Sequence, residues 1–287
     1  MDVAVVGAGR VGTALAVLLQ RAGHRVTAVS GRAATGVRAA THLPGVPLVT
    51  SSEAAGRGDL VLVAVPDDEL AAVAIELAEA GTLRPGAWAV HVSGAAGLEV
   101  LAPLVAAGAH RLAMHPLQTV PDVEGAIDRI PGSAVAITAE DAEGVALGER
   151  LARDVGGRPF VLADEHRPLY HAAAVFASNY VVTAAGIAEE LFREAGLPDP
   201  AGALLPLARA SLDNVGRLGP AGALTGPAVR GDAGTVASNL AALRDAAAHA
   251  VPAYVELCRL ALDIGERAGR LTPEGRAAVE EVLSTWT

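Results

Sequence analysis

The sequence predicts an α/β protein in which a doubly wound parallel sheet is followed by an all-helical domain. Short apolar runs alternate with helical patterns up to about residue 164, as in strands that are joined by crossover helices. One run, DLVLVAV at 59–65, is almost continuously apolar, which is typical of a strand buried on both faces. Beyond residue 164 only long alanine-rich patterns follow. We therefore expect two domains, 1–164 and 165–287.

The predicted elements follow in chain order. The strands of the first domain are expected at 3–6, 25–29, 59–65, 87–92, 111–114, 133–137 and 159–162. Helical patterns lie between them at 13–20, 70–80, 98–107 and 142–155. The second domain is predicted to form helices at 166–195, 201–216, 233–248, 252–268 and 273–284. Its alanine-rich faces carry few charges, which favours a homodimer that is formed through this domain.

One uncharged stretch, residues 168–188, is long enough to cross a membrane. Polar residues interrupt it, and the sequence has no second stretch of this kind, so it predicts a buried helix of a soluble protein. The opening segment MDVAVVGAG has an acid at position 2 and glycines within its apolar run, which is not the pattern of a signal peptide. We expect a cytoplasmic protein.

The charged residues and the single cysteine exclude several kinds of chemistry. All 22 basic residues are arginine, so a Schiff base, a lysine general acid and a P-loop lysine are excluded. The 32 acidic residues bring the formal net charge to −10, and this balance, without a basic tract, argues against nucleic acid or an anionic membrane as partner. Cys258 alone cannot form a disulfide within the chain, a CxxC pair or a cysteine zinc cluster, and we expect no metal site.

A glycine motif, G-x-G-x-x-G, follows the first predicted strand and opens a helix. Its glycines are Gly7, Gly9 and Gly12, which permit a tight turn, close approach of the backbone to a pyrophosphate and close packing of helix on strand. The free N–H groups of the helix N-terminus suit a phosphate. We predict a dinucleotide site here, in which Arg10 and Val11 lie beside the pyrophosphate.

The end of the second strand indicates which dinucleotide binds. An NAD site normally carries an acid about 20 residues after the glycines, but no acid occurs between Asp2 and Glu53. The strand ends instead in Ser30, Gly31 and Arg32, and a guanidinium can hold a ribose 2′-phosphate in a fork. The sequence therefore predicts NADP. The neighbouring Arg21, Arg25 and Arg38 are interpreted as solvated surface residues.

In an enzyme with an open parallel sheet, the ligand binds outside the carboxyl ends of the strands. Val65 and Pro66 follow one strand and are expected to flank the nicotinamide ribose. His115 ends another strand, and without lysine a histidine is the group that can exchange a proton near neutrality. We predict that His115 is the general acid or base and that Ser93 orients it or binds the substrate oxygen. His91 is predicted to be a hydrogen-bonded structural residue.

The first long helix supplies a second set of polar residues. The spacings of His171, Ser178 and Asn179 place them on one helical face. We expect Asn179 to position the substrate and His171 to assist, with hydrogen bonding between helices as the alternative. Arg230 lies in the turn-rich segment LTGPAVRGD, which is either a site for a substrate carboxylate or a simple connector.

Several motifs together resemble a known family. GAGRVG, VSGR, VAVPDDEL, HVSGA, HPLQT, YHAAAVFASNY and LTGPAVRGD are similar to bacterial Rossmann-like oxidoreductases with a C-terminal helical domain of unknown function, among the 6-phosphogluconate dehydrogenase-like and pyrroline-5-carboxylate reductase-like proteins. The resemblance covers nearly the whole chain. It implies an NADP-binding domain, a helical dimerisation domain and a cleft between them, but no particular substrate.

The chain also departs from some branches of that superfamily. The hydroxyacid and ketopantoate branches carry a lysine one turn before the asparagine, where this chain has Val175 before Asn179. Ser93 with His115 looks like the serine and histidine-proline pair of prephenate dehydrogenase-like enzymes. We therefore expect an NADP-dependent oxidoreductase that acts on a small carbonyl, imine or hydroxy acid with a histidine proton shuttle. A non-catalytic NADP sensor and a ketopantoate-type reductase are the alternatives.

Overall fold

The computed structural model describes residues 1–32 and 34–286 and divides into two compact units, Met1–Ser178 and Asn179–Thr287. The division falls later than the expected boundary at 164. The reason is that the segment after Asp164 stays with the first unit, where the buried side chain of Arg167 is hydrogen-bonded to Ala96 and Thr138.

The first unit is built on a seven-stranded sheet. Its strands are β1 (Asp2–Val6), β2 (Arg25–Ser30), β3 (Leu60–Val63), β4 (Trp88–His91), β5 (His110–Pro116), β6 (Ala134–Ala139) and β7 (Arg158–Val161). Their order across the sheet is β2-β1-β3-β4-β5-β6-β7. The predicted fold class is confirmed, although β6 pairs antiparallel with β5. The chain leaves β5 and enters β6 at the same end, where Leu117 N–H donates to Ala134 O at 2.8 Å.

Helices flank this sheet and form the whole of the regular structure described in the second unit. Those of the first unit are α1 (Arg10–Arg21), α2 (Ala34–His42), α3 (Ser51–Ala55), α4 (Leu70–Ala80), α5 (Ala102–Ala106), α6 (Val123–Arg129), α7 (Ala142–Asp154) and α8 (Arg167–Ala177). Those of the second are α9 (Asn179–Glu194), α10 (Pro200–Ala223), α11 (Ala233–Ala246), α12 (Val251–Arg267) and α13 (Pro273–Ser284).

The sheet has an apolar core on each face, as the continuous apolar run of β3 predicts. Leu60 and Leu62 belong to the cluster that contains Leu15 of α1. Val61 and Val63 belong to the opposite cluster with helix α4. Successive side chains of a strand point to opposite faces, so a strand that is covered by helices on both sides must be apolar throughout.

The helix that was expected over 166–195 is two helices, α8 and α9, because the chain is not helical at Ser178 (φ −127°, ψ −71°). Serine and asparagine compete with the backbone for hydrogen bonds, which makes the Ser178–Asn179 step a weak point in a helix. The helices are also not buried within the single chain as expected, since Arg167 is the one buried residue among those described in α8 and α9. The amino-acid composition of a helix does not show whether another part of the protein covers it.

By length and composition, the segment Asp164–Glu194 could cross a membrane, and no other segment among the residues that the structure describes passes this test. A single segment of this kind is weak evidence for a membrane span.

Candidate functional site

The turn between β1 and α1 is shaped by its glycines. Gly7 has φ +88°, a conformation that favours glycine. A Cβ on Gly12 would lie 2.5 Å from Gly7 O and 3.0 Å from Ala64 Cβ, so this glycine lets α1 pack against the sheet. A Cβ on Gly9 would meet nothing closer than Gly7 O at 3.9 Å. Gly9 therefore leaves open space at the helix N-terminus, which fits a phosphate.

A cavity of about 670 Å³ opens on this turn. It is lined by seven residues that were predicted to bind the cofactor: Gly7, Gly9, Ser30, Gly31, Arg32, Val65 and Pro66. The predicted residues Arg10, Val11 and Gly12 do not line it. Arg10 instead donates from Nη1 to Pro121 O at 2.9 Å, and Val11 packs against the apolar core. What α1 offers a phosphate at these positions is its backbone N–H groups.

The lining of the cavity carries charges of both signs. Arg32 forms an ion pair with Glu69, and Glu76 also lines the cavity. Arg38, which was interpreted as a surface residue, also lines the cavity and donates to Ala8 O at 3.1 Å. Arg38 lies one helical turn after Thr35, another lining residue, and this spacing was the sequence signal that it shares the cavity face.

A second group of polar side chains meets at the carboxyl ends of β4 and β5. Nδ1 of His115 lies 2.8 Å from the hydroxyl oxygen of Tyr170 on α8, and the two rings meet edge to face. Burial, and then the positive charge of Arg167, lower the pKa of His115 to about 4. Burial raises the pKa of Tyr170 to about 12. Both groups are therefore neutral at physiological pH.

Two histidines converge on Gly94. A Cβ on this glycine would lie 2.8 Å from Nδ1 of His171 and 3.0 Å from Nε2 of His115. Nδ1 of His171 is buried without a hydrogen-bond partner among the described residues. The neighbouring Ser93 shapes the turn itself, because its Oγ accepts from the N–H groups of Ala95 at 3.2 Å and Ala96 at 2.9 Å.

Arg167 lies beneath this turn, and no sequence pattern predicted its role there. Its side chain is fully buried and donates to the carbonyl oxygens of Ser93 and Ala96 and to Thr138 Oγ1. No carboxylate forms an ion pair with it in the described part of the chain. Periodicity could not reveal it, since an arginine at the start of an alanine-rich helix normally faces water.

His91, at the end of β4, is fully buried. Neither of its ring nitrogens makes a hydrogen bond of ordinary geometry within the described residues, although the backbone of Gly97 interacts with the ring and acts to raise its pKa. Burial is the main reason that its pKa falls to about 3.

The remaining candidates belong to the second unit. Asn179 begins α9, is exposed, and its carbonyl accepts from Thr183 Oγ1 at 3.0 Å; its role at a substrate stays a prediction. Arg230 donates to Thr225 O and pairs with Asp232 at 3.8 Å, which stabilises its own loop. Residues 1–32 and 34–286 contain no group of three or more His, Cys, Asp or Glu side chains that could hold a metal ion.

Comparison with curated proteins finds a relative that aligns with part of this chain. A curated relative, glycerol-3-phosphate dehydrogenase [NAD(P)+] of Bradyrhizobium sp. (strain ORS 278), is 33% identical over 208 residues, or 64% of this chain. The aligned region spans 59% of that protein's length.

Solved structures share the fold over almost the whole chain. A candidate NADP oxidoreductase from Bacteroides fragilis is 26% identical with a TM-score of 0.78, and the match covers 91% of this chain and 98% of that one. An imine reductase from Myxococcus stipitatus, solved with NADP+, is 18% identical with a TM-score of 0.65, and the match covers 100% and 99%. Residues 1–116 match the Rossmann-like domain, and residues 133–261 match DUF2520, a domain of unknown function. The chain therefore joins a Rossmann-like domain to a DUF2520 domain.

Proposed function

We propose that this protein is an NADP-dependent oxidoreductase that acts on a small carbonyl, imine or hydroxy acid. The observation that carries the proposal is the cavity on the glycine turn, whose wall presents Ser30, Arg32 and Arg38 where an NAD site carries an acid. The activities named for the Bradyrhizobium and Myxococcus relatives support the same class of reaction.

Different residues of the cavity would bind different parts of the cofactor. Gly7 and Gly9, with the backbone N–H groups that open α1, would hold the pyrophosphate. Ser30 and Arg32 would hold the 2′-phosphate, assisted by Arg38, because guanidinium groups bind phosphate through charge-assisted hydrogen bonds. Val65 and Pro66 line the cavity at the end of β3, beside the expected nicotinamide ribose. When bound, NADPH supplies a hydride.

The chain has no lysine. His115 is therefore proposed to exchange the proton that a lysine exchanges in other branches of the superfamily. Its Nε2 atom lies close to Gly94, as does Nδ1 of His171. A substrate oxygen or nitrogen that reaches Nε2 would exchange its proton with this atom. Ser93 keeps the turn in place through its hydrogen bonds to Ala95 and Ala96. Asn179 is proposed to position the substrate.

We also propose that the protein is a cytoplasmic homodimer, with a second copy of the chain covering α9 and α10. Neither helix has a buried residue among those described, and apolar side chains are exposed along them at Val182, Leu205, Leu207, Leu212 and Leu218. Large apolar side chains that are left exposed in this number favour an interface. Cys258 is a buried free thiol, which suits a reducing compartment.

Calorimetry with NADPH and NADH tests the cofactor assignment. We expect NADPH to bind at least about tenfold more tightly, and Arg32→Ala to remove most of that preference while Arg21→Ala, at an exposed position of α1, leaves it unchanged. Equal weakening of both nucleotides by Arg32→Ala would refute the 2′-phosphate site. Consumption of NADPH with panels of ketones, 2-oxo acids and cyclic imines then tests turnover, with His115→Asn as the inactive control.

A further inference from the structure

The segment 93–98 follows strand β4 and packs directly against His115. Gly94 is buried, and a Cβ built on it would lie 3.0 Å from Nε2 of His115 and 2.8 Å from Nδ1 of His171. The backbone itself therefore fills the place beside the two rings. Because the contact is this close, a small shift of the segment would change the surroundings of His115.

Arg167 holds the first part of this segment through two backbone carbonyls. Its Nε donates to Ala96 O and its Nη2 donates to Ser93 O. Its Nη1 donates to Thr138 Oγ1 on β6 at 2.9 Å, which fixes the guanidinium group to the sheet. The N–H groups of a guanidinium have a rigid planar geometry. Three acceptors on different nitrogens therefore fix the position of both carbonyls relative to the sheet.

Asp164 holds the last part of the segment through a backbone amide. The N–H of Leu98 donates to both of its carboxylate oxygens, at 3.1 Å and 3.2 Å. A Cβ on Gly97 would lie 2.8 Å from Oδ2 of Asp164, so the glycine lets the carboxylate reach the amide. Asp164 and Arg167 are three positions apart along the chain. Each binds the backbone group that suits its charge, since the carboxylate accepts from an N–H and the guanidinium donates to carbonyls.

The same side of helix α8 also contacts His115 itself. Positions 167, 170 and 171 are three and four residues apart, which places them on one helical face. The hydroxyl oxygen of Tyr170 lies 2.8 Å from Nδ1 of His115, and Nδ1 of His171 lies against Gly94. One face of α8 thus contacts both the segment and the histidine.

These contacts join the two domain families of the chain. The Rossmann-like match, residues 1–116, contains the segment and His115. The DUF2520 match, residues 133–261, contains Asp164 and helix α8. All of them lie in the first compact unit. The side chains that surround His115 therefore come in part from the DUF2520 match, although they fold with the Rossmann-like sheet.

We propose that Asp164 and Arg167 are positioning residues that hold segment 93–98 against His115, and that the DUF2520 part of the chain thereby helps to form the site of proton exchange. The inference rests on the proposed role of His115 and does not depend on the identity of the substrate.

Arg167 also places a positive charge near His115. Burial, and then this charge, lower the pKa of His115 to about 4. The other titratable groups that face His115 are Tyr170 and His171 on α8 and His91 on β4. Removal of the guanidinium group should therefore raise the pKa of His115. A loss of stability alone would not move this value.

Amide hydrogen exchange in the unliganded protein tests the contacts with the segment. Asp164→Ala removes the acceptor of the Leu98 amide, so this amide should exchange at least about tenfold faster. Arg167→Met should similarly speed the exchange of the Ala95 and Ala96 amides, because the turn loses the donor to its carbonyls. Arg84→Met, which removes an arginine bonded to Asp59 Oδ1 at 2.7 Å near the amino ends of β1 and β3, is the control and should leave these amides unchanged.

Two outcomes of this measurement would overturn the proposal. One is unchanged exchange of the segment in Asp164→Ala and Arg167→Met. The other is an equal increase in the amides of strand β1, because it would show that the variants only destabilise the whole unit.

Histidine NMR titration and kinetics separate positioning from a purely structural role. Arg167→Met should raise the midpoint of the His115 titration by at least about 0.5 pH, and Arg167→Lys, which retains a cation and N–H donors, should stay closer to the wild type. Arg167→Met should lower kcat at least about tenfold. The Kd for NADPH should stay within about twofold, since Arg167 does not line the cofactor cavity.

An unmoved midpoint in Arg167→Met, or an unchanged kcat, would overturn the proposal. If calorimetry shows that no NADPH binds to the wild type, the proposed function fails instead. The exchange and titration measurements need neither cofactor nor substrate, so they still decide whether Asp164 and Arg167 hold the segment against His115.

Discussion

Arg32 and Glu69 form an ion pair on the wall of the cavity that opens on the glycine turn. Arg32 is largely exposed and Glu69 is partly exposed, so the pair contributes little to stability. The ion pair affects cofactor binding instead, because the guanidinium group that would hold a 2′-phosphate already has a carboxylate partner. A phosphate must compete with Glu69 for Arg32.

Glu69→Gln should therefore strengthen NADPH binding by about three- to tenfold, since it frees Arg32 and removes a negative charge from the cavity. NADH, which lacks the 2′-phosphate, should bind with unchanged affinity. Calorimetry with both nucleotides measures the difference. Glu79→Gln, at an exposed position of α4 that does not line the cavity, is the control. Weaker NADPH binding in Glu69→Gln would contradict the competition.

Gly9→Ala should weaken nucleotide binding, whereas Gly12→Ala should lower the stability of the protein. A Cβ on Gly9 meets no protein atom closer than 3.9 Å, so this variant should keep its melting temperature and lose nucleotide affinity. A Cβ on Gly12 would lie 2.5 Å from Gly7 O, and the strain should lower the free energy of unfolding by about 1–3 kcal/mol. Thermal denaturation and calorimetry on both variants check this. A stable Gly12→Ala protein would show that the packing argument is wrong.

Acid should destabilise the first unit through its buried histidines. The pKa values of His91 and His115 in the folded state are about 3 and about 4, below the value of about 6.5 in an unfolded chain. The unfolded state therefore binds protons first as the pH falls. Stability is fully present above about pH 6.5 and is lost toward the folded pKa values, by up to about 1.4 kcal/mol per pH unit for each group.

Replacing one of these groups tests the argument. His91→Leu removes a buried imidazole whose pKa is lowered mainly by burial, so the variant should unfold at lower pH than the wild type. Urea denaturation between about pH 4 and 7 measures the slope. His166→Leu, at an exposed position, controls for the loss of one imidazole. An unchanged slope in His91→Leu would show that His91 does not cause the acid sensitivity.

Leu207→Glu on α10 should dissociate the proposed homodimer. Leu207 is 61% exposed in the single chain, and a charge placed in an apolar interface must be desolvated without a partner. Analytical ultracentrifugation should show a dimer for the wild type and a monomer for the variant. Arg21→Glu, which reverses a charge at an exposed position of α1 in the first unit, should leave the dimer intact. A monomeric wild-type protein would contradict the proposal.

Local requirements of the backbone made much of the first unit predictable. The glycine turn could be recognised because Gly7 and Gly12 stand where side chains do not fit, and such constraints act within a few residues. The apolar run of β3 likewise specified a strand covered on both faces. The absence of an acid between Asp2 and Glu53 pointed to NADP through composition alone.

Only the tertiary structure revealed the surroundings of His115. Tyr170 lies 55 positions from it along the chain, and Arg167 reaches the carbonyl oxygen of Ser93 from 74 positions away. Arg167 belongs to no periodic pattern or spaced motif, and Tyr170 opens the motif YHAAAVFASNY without any spacing that links it to His115. Their contacts arise because α8 packs against the carboxyl ends of β4 and β5. Thus the sequence by itself determined the sheet and its glycine turn through short-range backbone constraints. Long-range packing decided which buried charge and which hydroxyl group lie next to His115.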